Sequence, residues 1–179
     1  MTMDEIRQLR VEGSEPVATL EEMLDAARGR IGLFIELKGA TADLRMADDI
    51  CRMLQERDMT DSCVIISLDY ALISAVETKY PELRTGYLCY YSFGNISDMN
   101  ADMLLLEAET ATEDNIDRIH DAGKQIYVWT ANSLESLNDA VRCGADGVIT
   151  DKPELAQAVI NSPNAGSDAA RILRSIFYW

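Results

Sequence analysis

Histidine occurs once in these 179 residues and proline four times, and 16 basic residues face 31 acidic ones. Each scarcity excludes something. With a formal net charge of −15 and no local run of lysine and arginine, a nucleic acid or other polyanion would be repelled, so no nucleic-acid partner is expected. One imidazole rules out acid–base catalysis by a pair of histidines within one copy of the chain. No apolar run approaches the ~18 residues of a membrane span, and the opening MTMDEIRQLRVEG is too polar for a signal peptide. There is no P-loop, GxGxxG, GxSxG or HExxH motif. The four cysteines, Cys51, Cys63, Cys89 and Cys143, stand far apart without CxxC or zinc-ligand spacing. Each reads as a small buried hydrophobe, which leaves the compartment unknown.

What is present is the profile of one globular domain, 47% hydrophobic and 26% charged. Short β-branched runs alternate with stretches of helical period, the signature of βα units around a parallel sheet. Six strands are predicted: residues 31–38 (IGLFIELK), 63–69 (CVIISLD), 84–90 (RTGYLCY), 102–109 (DMLLLEAE), 125–132 (QIYVWTAN) and 146–150 (DGVIT). Thr19 with Glu22 forms a capping box, and Ser133 stands as an N-cap before LESLNDAVR. Gly123 and Gly144 close helical runs, and Pro81 and Pro153 bracket others. The SPNAGSD stretch at 162–168 reads as a joint leading to an apolar end, ILRSIFYW. The organisation predicted is one domain over 1–160 with a C-terminal tail over 161–179. A (βα)8 barrel takes about 250 residues, so six strands would leave it two βα units short. An open doubly wound sheet would be complete at this length, and periodicity does not choose between them.

Candidate chemistry lies at the C-terminal ends of the strands, where α/β enzymes place their sites. Glu36 and Lys38 are two residues apart on one strand and so share a face. A carboxylate beside an ammonium can hold a hard divalent cation while the lysine meets a phosphoryl oxygen. An ordinary strand-end ion pair accounts for the same spacing. Ser67, Asp69, Glu107, Glu109, Trp129, Thr130, Asn132, Thr150 and Asp151 add further groups at strand ends. Singly they are loop starts, but together they make a plausible metal and phosphate rim. His120, within EDNIDRIHDAGK, reads as a structural helix residue.

Taken in order, PVATLEEML, IGLFIELKG, VIISLD, QIYVWTANS and GADGVITDKPE resemble the glycerophosphodiester phosphodiesterase family over about residues 1–160. The resemblance implies a TIM-type (βα)8 barrel of the PLC-like phosphodiesterase kind. It implies a hydrolase that uses Ca²⁺ or Mg²⁺ to convert glycerophosphodiesters into sn-glycerol 3-phosphate and an alcohol. Carried over residue by residue, Glu36 matches the family's metal-binding glutamate, Lys38 its phosphate-facing lysine, and Trp129 the tryptophan bordering the substrate. The family's His-Arg-Gly strand, Glu-x-Asp metal strand and His-Asp segment have no counterpart here. The expectation is therefore an incomplete barrel of about six βα units, with cation binding weak or absent and the chain inactive alone. Two open strand edges would invite self-association, and the alternative function is a non-enzymatic binding or assembly module. SLDY and LLLEAE resemble a bacterial branch that often carries a membrane-embedded region upstream. Localisation is unknown on this reading.

Overall fold

The computed structural model describes residues 1–11, 13–90 and 98–162. Of the tail predicted over 161–179, residues 163–179, with ILRSIFYW, lie outside the described residues.

The chain opens with a one-turn helix α1 (Met3–Ile6) and a two-residue hairpin, β1 (Arg10–Val11) against β2 (Glu15–Pro16). Hydrophobic periodicity predicts neither, because nothing in α1, β1 or β2 is buried and no apolar face marks them. Six βα-type strands and their helices follow. They are α2 (Leu20–Ala27), β3 (Leu33–Glu36), α3 (Leu44–Arg57), β4 (Cys63–Ser67), α4 (Tyr70–Lys79) and β5 (Arg84–Cys89). After residues 91–97 come β6 (Met103–Glu107), α5 (Glu113–Asp121), β7 (Gln125–Trp129), α6 (Leu134–Arg142), β8 (Gly147–Val148) and α7 (Pro153–Ile160). All six predicted strands form, each shorter than its predicted range.

The helix boundaries follow local chemistry. Glu22 N donates to Thr19 Oγ1 and Thr19 N to Glu22 Oε2, completing the capping box of α2. Asp43 caps α3, Asp69 caps α4, Thr112 caps α5 and Ser133 caps α6. After α5 and α6 the backbone turns left-handed at Gly123 and Gly144, with φ of +74° and +82°. A side chain would be strained at either place. Pro153 occupies the first turn of α7, where its missing N–H costs nothing.

The strands are parallel and run in chain order, β3-β4-β5-β6-β7-β8. The sheet is strongly curled. In a flat sheet, β3 and β7 would be about 19 Å apart, four spacings of about 4.8 Å. Yet the Phe34 ring on β3 meets the Tyr127 ring on β7 edge to face, with centroids 5.1 Å apart. The concave side holds Val64, Ile66, Leu88, Met103, Leu105 and Tyr127, joined by Phe34, Trp129 and Ile149. These are the alternate residues of each strand, as a barrel interior requires. The other set faces outward under the helices: Ile65 shares a buried cluster with Ile50 and Ile73, and Leu104, Leu106 and Ile126 share one with Ile116 and Ile119. The architecture is thus an incomplete (βα)8 barrel of six strands rather than an open doubly wound sheet. Among the described residues, β3 has a ladder partner only in β4, and β8 only in β7.

Gly86 belongs to this curl. A Cβ there would stand 2.6 Å from Leu105 Cδ1, 2.9 Å from Met103 Cγ and 3.1 Å from Ile66 Cγ2. Neighbouring strands close over the bare backbone, which a flat sheet would not require.

All four cysteines are buried free thiols. Burial pushes the Cys89 thiol up to about 12, so it behaves as a hydrophobe. No described helix is long and apolar enough to cross a membrane.

Candidate active site at the mouth of the curled sheet

The C-terminal end of β3 carries the first group. Glu36 is its last residue, set opposite Ile66 in the ladder. The ladder continues one step as Leu37 N donates to Ile66 O at 2.8 Å. The buried Ser67 hydroxyl then donates to Leu37 O, also at 2.8 Å. Leu37 is thereby pinned on both sides, which fixes the chain between Glu36 and Lys38. Lys38 Nζ lies 3.7 Å from Glu36 Oε1. The ammonium side chain is mostly exposed and the carboxylate about one-third exposed, so the pair is worth little to stability. The lysine is available to a ligand.

Trp129 ends β7 across the mouth. Its indole Nε1 donates to Leu105 O at 2.7 Å, which orients the ring, and Tyr90 packs edge to face on it at 5.3 Å between centroids. The peptide between Trp129 and Thr130 is cis. Glu36, Lys38, Tyr90, Trp129, Thr130 and Ile149, with Ile66, Leu68 and Leu88 below and beside them, line a cavity of about 270 Å³. The three residues predicted from sequence therefore meet in one pocket. It has an aromatic wall on one side and the lysine–glutamate pair on the other.

Tyr90 is missing from the sequence reading. Its signal was weak but present: it follows β5 with the parity of Leu88, an inward residue. Several other rim residues are engaged in local hydrogen bonds. Asp69 accepts from Leu72 N as the cap of α4 and donates its own N–H to Ser67 Oγ. Asn132, Thr150 and Asp151 hydrogen-bond to one another beside Trp129. Glu107 ends β6 opposite Trp129 in the ladder, and Glu109 is exposed beyond it.

His120 lies at the other end of the sheet, as a helix residue of α5. Its Nε2 is 3.0 Å from Asp146 Oδ2, and that carboxylate also accepts from Ile126 N at 2.8 Å.

A resident divalent cation does not fit the described residues. Among them no three histidine, cysteine, aspartate or glutamate side chains converge as a metal-holding group. Glu36 brings one carboxylate, and that carboxylate has an ammonium beside it. Calcium takes 6–8 oxygen ligands, and magnesium a near-octahedral set.

A family model described as "Glycerophosphoryl diester phosphodiesterase family" matches residues 1–155. YhdW of Bacillus subtilis (strain 168), assigned to the glycerophosphodiester phosphodiesterases, is 24% identical over 148 residues. That match takes in 79% of this chain, and the chain spans 61% of the curated relative's length. Among solved structures, a glycerophosphodiester phosphodiesterase from Parabacteroides distasonis superposes with a TM-score of 0.77 at 22% identity, covering 88% of this chain and 70% of that one. An Oleispira antarctica phosphodiesterase, solved in complex with its product sn-glycerol-3-phosphate, gives 0.79 at 19% identity, covering 90% and 71%.

Proposed function

Because the chain belongs to the glycerophosphoryl diester phosphodiesterase family, we propose that its mouth is the phosphate-facing part of a site for glycerophosphodiesters, with products sn-glycerol 3-phosphate and an alcohol. One observation carries this reading: Glu36, Lys38 and Trp129 come from opposite sides of the curled sheet into a single cavity of about 270 Å³. Lys38 meets a non-bridging phosphoryl oxygen and offsets the negative charge that grows there as water attacks phosphorus. Glu36, 3.7 Å from Lys38 Nζ, keeps the ammonium over the mouth. Trp129 and Tyr90 form the apolar wall for the glycerol side of the substrate. Hydrolysis breaks the bond between phosphorus and the alcohol oxygen, and that oxygen must receive a proton. The only histidine is engaged with Asp146 at the far end of the strands. The groups that handle protons are therefore not a histidine pair of these 179 residues, and the chain by itself is a binding half-site without turnover. In the family a divalent cation supplies further charge stabilisation at the phosphate, but the described donors do not hold one. On this reading residues 1–160 form the partial catalytic domain and 161–179 an appendage.

The test is binding and turnover side by side. The purified chain is titrated with sn-glycerol 3-phosphate by NMR, and release of that product from glycerophosphocholine is assayed with Ca²⁺, with Mg²⁺ and with chelator. Saturable binding weakened about tenfold or more by Lys38→Ala supports the half-site, since a charge-assisted contact is worth about 1.5–3 kcal/mol. Metal-dependent release that Glu36→Gln abolishes would overturn the claim that the chain does not turn over alone.

A second reading is favoured by the open ladder edges of β3 and β8 among the described residues. On it the chain is an assembly module that pairs these edges with those of another copy. Concentration-dependent light scattering separates the readings: a monomer at every concentration removes the module.

A further inference from the structure

The pocket's Trp129 wall ends on β8, the shortest of the six parallel strands, with only two residues in the ladder, Gly147–Val148. Two backbone bonds carry the pairing of β7 and β8 onward: Ile149 N donates to Val128 O at 2.8 Å, and Ala131 N to Ile149 O at 3.0 Å. Beyond that point the two segments separate into different loops, one entering α6 and the other α7. Parallel strands so short need another tie if Ile149 is to stay against Trp129.

That tie is one side chain. Asn132 Oδ1 accepts from Asp151 N at 2.8 Å and from Thr150 Oγ1 at 3.0 Å, while its Nδ2 donates to Asp151 Oδ2 at 2.7 Å. Thr150 Oγ1 in turn accepts from Lys152 N at 3.0 Å, just before the first turn of α7. The position demands an acceptor for two donors and a donor for a carboxylate, on a stem short enough to reach across one loop. Asparagine meets all three conditions. Aspartate would accept equally well but would set a second carboxylate against Asp151. Alanine would make none of the bonds.

From this geometry we infer that Asn132 is a positioning residue for the pocket. By locking the loops after β7 and β8 together, it holds Trp129 and Ile149 as one wall facing Glu36 and Lys38. The clamp stands on the hydrogen bonds themselves. Its consequence for a phosphodiester ligand rests on the proposed function above.

The experiment uses the full chain carrying Trp179→Phe, which leaves Trp129 as its only indole. Acrylamide quenching of Trp129 and thermal unfolding are measured in this parent, in Asn132→Ala, in Asn132→Asp and in the swapped pair Asn132→Asp with Asp151→Asn. The swap restores one acceptor carboxylate facing one amide donor. The expected result is a quenching constant raised about twofold in both single variants, with the midpoint of unfolding little changed because these loops are exposed. The swapped pair returns to the parent value. Unchanged quenching in the single variants, or a swap no better than Asn132→Asp alone, would overturn the inference. Protection of Trp129 by added sn-glycerol 3-phosphate is read in the same samples. Its absence in the parent counts against the proposed ligand and leaves the clamp result standing.

Discussion

His120 Nε2 and Asp146 Oδ2 are 3.0 Å apart at the N-terminal end of β8, at the opposite end of the parallel sheet from Lys38. Asp146 is nearly buried and also receives the N–H of Ile126, the second residue of β7. The pair thus fastens α5 to the bottom of the sheet, and the sole imidazole is spent on structure.

Substitution should reveal that division of labour. Asp146→Ala orphans the buried Ile126 N–H and should cost about 1–3 kcal/mol in urea unfolding. His120→Asn should cost less, because Asp146 keeps its backbone partner. Binding of sn-glycerol 3-phosphate should be unaffected by His120→Asn. A large loss of binding with the fold intact would bring the histidine back into the site.

Gly86→Ala tests the curl. The added methyl would fall 2.6 Å from Leu105 Cδ1 and 2.9 Å from Met103 Cγ, both on side chains with no exposure. Overpacking of this kind costs about 1–3 kcal/mol. Chemical denaturation should show that loss, whereas an unchanged midpoint would mean the concave face is looser than its packing indicates.

Glu77 gives the fold a pH dependence with a definite sign. Burial raises its carboxyl above the ordinary 4.5, opposed by the hydrogen bond from Thr85 Oγ1; nearby Asp102 raises it further and Lys124 lowers it. A carboxyl whose folded pKa exceeds its unfolded one holds more protons in the fold. Its contribution is greatest at low pH and is lost as pH rises from 4.5 through the raised value. Glu77→Gln retains an acceptor for Thr85 without the charge. It should flatten the stability profile across that window and be at least as stable as the parent at about pH 7. Urea midpoints measured at several pH values decide it, and a variant weaker at neutral pH would show that the charge itself is needed.

Trp129 should respond to loss of its own orienting bond. Trp129→Phe keeps an aromatic wall against Tyr90 but removes the donor to Leu105 O. Product binding should weaken less than the about tenfold or more expected for Lys38→Ala, since the lost neutral hydrogen bond orients the ring rather than touching the phosphate, and a charged contact is worth more. Equal losses in NMR titrations would mean the phosphate is not read by the lysine.

Much of this was legible in the order of residues. The β-branched runs that became β3 to β8, the capping box at Thr19, the N-cap at Ser133 and the glycines after α5 and α6 are local signals, set by backbone sterics and by where side chains satisfy N–H groups. Glu36, Lys38 and Trp129 stood out as strand-end groups, because parity and position on a strand are local properties, but their expected roles came from the family resemblance, and that they line one cavity depended on the tertiary structure. Whether the sheet curls or stays open was not legible in periodicity, since both arrangements obey the same period; only the family resemblance implied the incomplete barrel that the structure has. The meeting of Phe34 with Tyr127, and the space Gly86 leaves beneath Leu105, decided for the curled form. Those contacts join residues 93 and 19 positions apart, and no window of sequence contains the geometry. The same reason hid the roles of Ser67, Tyr90 and Asn132. Their types were readable, but which carbonyl, ring or neighbouring loop each would meet depended on how far the sheet curls and where its last strand ends.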